Sequence, residues 1–164
     1  MTYDDPLSIV FKSLWNCAEA SEHVTELVRL KNRIRLDQNN DPIKRTVTDA
    51  DLPELTLLTD GGNVGLQVTS SGTKITKNFA WMIATGQTLV CERILPVEFA
   101  LVRAMKNWPE HVAQETWNGK RFVNVVRMND ITEGESDPER NRGIKGWSAL
   151  MNIEVEMTFQ TGDL

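Results

Sequence analysis

The residues of this chain that could carry chemistry are few. It has two cysteines, Cys17 and Cys91, and two histidines, His23 and His111. A thiol beside an imidazole makes an activated nucleophile and base. Cys17, however, lies beside the apolar stripe of the first predicted helix. A free cysteine there is a small hydrophobe, and nothing local lowers a thiol pKa. The Cys and His residues are also too few for a disulfide framework or a structural zinc site built only from them. Asp37, Asn39 and Asp41 have the one-three-five spacing of a calcium loop. The sixth position is Pro42 and the twelfth is Thr48, so both the turn glycine and the bidentate Glu are missing. Gly61-Gly62-Asn63-Val64-Gly65 lacks the spacing and the downstream Lys-Ser/Thr of a P-loop and reads as a turn before a strand. No Gly-x-Ser-x-Gly, His-Glu-x-x-His or Cys-x-x-Cys motif occurs. Glu133, Glu135, Asp137 and Glu139 could be paired carboxylates. In a segment that contains Gly134 and Pro138 they read instead as solvated charge. By elimination, no catalytic, cofactor or metal site is expected, and no cofactor is assigned.

The elements that would position any site follow from ordinary globular composition. The chain has 164 residues, 40% hydrophobic and 25% charged, which suits one soluble domain over residues 1–164. A chain of this size buries about 70% of its unfolded surface and needs no staples. The net charge of −5 argues against a general nucleic-acid-binding domain. No stretch approaches the ~20 apolar residues of a membrane span. The acidic start, Met1 to Pro6, carries no secretory signal. With so few cysteines, a reducing intracellular setting is expected.

Asp4 and Asp5 can cap a helix whose first position suits Pro6, and Leu7, Val10, Phe11, Leu14 and Ala18 give it one apolar stripe. Ser21 is the expected cap of a shorter helix carrying Val24, Leu27 and Val28. Residues 32–36 and 54–58 read as short strands, joined by a loop longer than compact domains usually hold. Val64, Leu66 and Val68 alternate, Ser70 to Thr73 supplies a turn with Gly72 free to take a positive φ, and Ile75, Phe79, Trp81 and Ile83 line the return strand. Ile94, Val97, Leu101, Val102, Met105 and Trp108 fall at helical spacing. We read this helix as starting near Thr88, kinked at Pro96 and stopped by Pro109. Phe122 to Met128 forms a strand, and Asn129 to Lys145 is a long polar excursion. Trp147, Ala149, Met151, Ile153, Val155, Met157 and Phe159 then occupy alternate positions of a long final strand. The order predicts an α+β domain: a mainly antiparallel sheet with two or three helices packed on one face and long loops.

Four features of this layout resemble a known family. They are the Asp5-Pro6-Leu7 helix start, the strand Lys74 to Thr85, the helix ending near Trp108 and the run Gly146 to Phe159. Together they look like the tail-terminator and tail-completion (neck) proteins of tailed bacteriophages. Residues 37–63 and 109–121 are longer than that family leads one to expect. The resemblance implies a non-enzymatic virion subunit that assembles as a homo-oligomeric ring, often a hexamer. Such a ring caps the tail tube and joins it to neck or connector proteins, in the virion and, during assembly, in the host cytoplasm. DNA would pass through its lumen without specific binding, a role that suits an acidic protein. On this reading the polar excursion is an arm, acidic at Glu133, Glu135, Asp137 and Glu139 and basic at Arg140, Arg142 and Lys145. Its two halves are the candidate interface between neighbouring subunits in a head-to-tail ring. The alternatives are a small α+β ligand-binding or enzymatic domain without a recognisable motif, and a soluble adaptor module.

Overall fold

Asp5 and Pro6 start the first helix as their residue types require. In the computed structural model, which describes residues 5–35, 53–59, 64–86, 93–135 and 146–164, α1 runs Pro6–Glu19 with Asp5 as its N-cap. One Asp5 carboxylate oxygen accepts from the Ser8 amide at 2.9 Å and the other from the Ser8 hydroxyl at 2.6 Å. Desolvation pushes the Asp5 carboxyl up, but these hydrogen bonds outweigh it and hold it below its ordinary pKa. Val10, Phe11, Leu14 and Ala18 form the buried stripe. Ser21 occupies the cap position of α2 (Glu22–Leu27) without a side-chain hydrogen bond. A turn of 3₁₀ helix then leads into β1 (Arg33–Arg35).

The remaining elements are β2 (Glu54–Thr59), β3 (Gly65–Val68), β4 (Gly72–Gly86), α3 (Leu95–Met105), α4 (Trp108–Val112), β5 (Thr116–Trp117), β6 (Lys120–Arg121), β7 (Val123–Glu135) and β8 (Gly146–Gln160). The main sheet has the order β1-β2-β4-β8-β7. β3 occupies the same edge of β4 as β2, further along. β1 is parallel to β2, and the other pairings are antiparallel. This is the expected α+β architecture.

The spine is the β4–β8 pair, in unbroken register from Gly72↔Gln160 to Gly86↔Gly146. At 3.3 Å per residue it is about 45 Å long. α1 spans only about 20 Å, so no single helix can cover the spine. Phe11 meets Phe79 at 6.2 Å and Trp15 stacks on Trp81 at 6.3 Å. The far end is closed instead by Trp117 and Phe122, which pack on Phe159 at 5.7 and 6.0 Å. Ala149, Met151, Ile153, Val155, Met157 and Phe159 are all buried, as their alternation predicts, and Trp147 is half-buried.

Several expectations change. Gly72 does not take a positive φ; among the described glycines only Gly119 does. Gly72 is needed because a Cβ there would lie 2.5 Å from the Phe159 carbonyl oxygen. The turn is held instead by Thr69, whose amide and hydroxyl both donate to the Gly72 carbonyl, at 2.8 and 3.0 Å. Pro96 lies in the first turn of α3, and Arg93 and Ile94 before it are already helical; residues 88–92, where the earlier start was expected, lie outside the described residues. Pro109 starts a helix: α3 ends at Met105, and Pro109 sits in the first turn of α4, where a missing N–H costs nothing. Asn118 and Gly119, both at positive φ, form an unpredicted two-residue hairpin turn between β5 and β6.

The largest correction concerns Asn129 to Lys145. Residues 129–135 are not part of an excursion. They continue β7, with Ile131 opposite Met151 and Glu133 opposite Ala149. Two bulges, at Val123/Val125 and at Met128/Ile131, each shift the register by one. Each shift changes which residues face the helices, from Val123 to Val126 and Met128, then to Ile131 and Glu133. Residues 136–145 lie outside the described residues.

Candidate functional site

The thiol and imidazole considered in the sequence line one cleft. α1, α3 and α4 border an open cleft of about 480 Å³ whose walls include Cys17, Ser21, Asn107, His111 and Glu115. Cys17 Sγ donates to the Ala104 carbonyl at 3.0 Å, and burial raises its pKa. Both facts favour the protonated thiol, the opposite of what a nucleophile needs. Trp108 Nε1 donates to Ser13 Oγ at 3.0 Å across the same wall, so the polar groups here tie α1 to α3 and α4. His23 is exposed on α2, and Cys91 lies outside the described residues. Among the described residues, no cluster of three or more His, Cys, Asp or Glu could hold a metal ion. Asp37, Asn39 and Asp41 lie outside them.

A different surface stands out on physical grounds. α3 is apolar almost all round. Val97, Ala100, Leu101 and Met105 face the core. Leu95, Phe99 and Val102, at i, i+4 and i+7, form a second stripe that points outward, with Phe99 64% exposed. Glu98 flanks this stripe on one side. On the other, the Arg103 guanidinium sits 5.9 Å from the Phe99 ring.

The Glu98 carboxyl adjoins that of Glu133 on β7. Its Oε1 is buried without a partner. Desolvation first, then the hydrogen bond and charge of Glu133, push Glu98 up to about 7. Ile131 and Met128, on the helix-facing side of β7, are also exposed, as suits an edge strand. The result is an apolar surface with two adjoining carboxyl groups in it.

The opposite edge of the sheet carries a second strip. Every residue of β3 is exposed. Val64, Leu66 and Val68 fall at alternate positions, with Leu66 and Val68 67% and 69% exposed. The alternation was legible, but the burial it usually signals is absent. Leu66 pairs with Ile75 and Val68 with Thr73, so the strip lies on the same face of the sheet as the helices.

Of the seven arm residues expected at an interface, Glu133 and Glu135 belong to β7. Asp137, Glu139, Arg140, Arg142 and Lys145 lie outside the described residues. The partner of Glu133 is Glu98, a residue that no motif in the sequence singles out. No helix among the described residues is long and apolar enough to cross a membrane. No protein-family model and no curated protein matches this sequence.

Proposed function

We propose that this chain is a structural subunit that assembles head to tail into a ring, of the tail-terminator or head–tail joining kind its sequence layout resembles. The observation that carries the reading is the pair of unlike exposed apolar strips, one on β3 and one on α3. Contiguous exposed apolar surface marks contact with another macromolecule. A surface that meets its own copy across a two-fold axis needs only one strip. Two different strips on opposite edges of the sheet suit a heterologous contact, which closes into a ring or runs on as a filament. Glu154 and Glu156, on the face away from the helices, do not by themselves make an acidic surface for DNA to slide on, because each is balanced by a cation, Glu154 by Arg127 at 2.6 Å and Glu156 by Lys74 at 3.0 Å.

Size-exclusion chromatography with light scattering, followed by electron microscopy of the peak, tests the proposal. Annular particles, alone or on added tail tubes, support it. A monomer under both conditions rejects it.

A further inference from the structure

We infer that the partner of the α3 stripe is the β3 strip of a second copy of this chain, with Lys77 of that copy placed against the Glu98–Glu133 pair. The inference rests on the ring reading above and names the two surfaces that meet. The strips match in length: Leu95 to Val102 spans about 10 Å along a helix, and Val64 to Val68 about 13 Å along a strand.

The charges match as well. β3 and β4 pair antiparallel up to Gly65↔Thr76. One step further places Val64 opposite Lys77, at the end of the apolar strip and on the same face. Lys77 is half-buried, and its side chain has no ion pair or hydrogen bond among the described residues. The α3 surface has the complementary need. Glu98 and Glu133 adjoin, so they cannot both ionise without repulsion, and Glu133 is exposed to a neighbour. An ammonium group delivered to the Glu133 carboxylate offsets that repulsion and lets both groups ionise. Arg103 beside Phe99 does not serve, because it lies on the far side of the stripe from Glu98. An apolar centre with one charged contact at its margin is the usual anatomy of a specific interface.

A mixing experiment tests the pairing. Leu66→Asp and Phe99→Asp each place a charge at an exposed position, and circular dichroism checks that both variants fold. Each should weaken self-association by at least ~30-fold, the effect of losing one interfacial hot spot. Leu66→Asp keeps an intact α3 surface and Phe99→Asp an intact β3 surface. Their mixture should therefore form a one-to-one heterodimer that cannot grow further. If the wild type assembles and either variant assembles equally well, or if the mixture stays monomeric, the pairing is wrong and the ring reading survives. If the wild type is itself monomeric at the highest soluble concentration and stays so on added tail tubes, both fall.

Discussion

Truncating Phe159 to Ala tests how the long spine is closed at its open end. Phe159 is 4% exposed and sits between two aromatic neighbours, Trp117 edge-on at 5.7 Å and Phe122 stacked at 6.0 Å. Removing a buried Phe side chain typically costs about 3–5 kcal/mol, the transfer term plus the cavity left behind. Each aromatic pair contributes about 0.5–1.5 kcal/mol within that loss. The cavity can shrink here. Trp117 is half-buried on a hairpin of two-residue strands, which can lean inward more easily than the spine can move. We therefore expect the low end, about 3 kcal/mol, which for a domain of this size lowers Tm by roughly 6–12 °C. Phe159→Leu keeps most of the volume and should cost less than about 1.5 kcal/mol. Urea unfolding followed by circular dichroism measures both. A loss below about 1 kcal/mol for Phe159→Ala in a folded protein would mean that the aromatic cluster does not close the sheet.

Other outcomes follow from single contacts. Gly72→Ala places a Cβ 2.5 Å from a backbone oxygen that cannot move without breaking the spine register, so a thermal melt should show a loss of at least about 2 kcal/mol. A change within experimental error would show that the β3–β4 turn yields freely. Glu98 has a pKa raised from 4.5 to about 7, so its contribution is fully present below the lower value and is lost as pH rises through the higher one. Glu98→Gln keeps a hydrogen-bond donor for Glu133 but does not titrate. In the Leu66→Asp background, which leaves the α3 surface without a neighbour, the urea midpoint should fall relative to the same protein carrying Glu98→Gln between about pH 5 and pH 8, and parallel profiles would contradict the Glu98–Glu133 contact. Cys17 should react with iodoacetamide far more slowly than a free thiol in the folded protein and at the free-thiol rate in denaturant, because its raised pKa leaves little thiolate.

Legibility in the sequence followed the strength of the local pattern. α1 was plain because a capping Asp, a first-turn Pro and a helical apolar stripe all agree. β8 was plain because its buried residues alternate without interruption. The second half of β7 was hidden for two physical reasons. As an edge strand it need bury little, so Asn129, Asp130 and Thr132 can sit in it exposed. Its bulges also move the inward face from one parity to the other, which erases any alternation. The β5–β6 hairpin was missed although Asn118-Gly119 is a strong turn signal, because strands of two residues carry no period. At Pro109 one residue serves either as a stop or as a start, and only the chain beyond it decides.

The candidate surface was less legible still. α3 is apolar on both sides, so spacing alone cannot say whether Val97 and Leu101 or Leu95 and Phe99 face the core. Val64, Leu66 and Val68 gave a correct strand period and a misleading promise of burial. The Glu98–Glu133 contact joins a helix to a distant strand and leaves no local trace in the sequence. The arm reading had identified Glu133 as important, but through charge on the following residues and not through the helix it touches.

The central claim is that one copy of this chain is an incomplete unit. Its most direct test is the mass of the purified protein by light scattering across a concentration series, with and without isolated tail tubes. The account predicts a discrete species of several chains that electron microscopy resolves as a ring. A single-chain mass throughout, unchanged by the tubes, would contradict it.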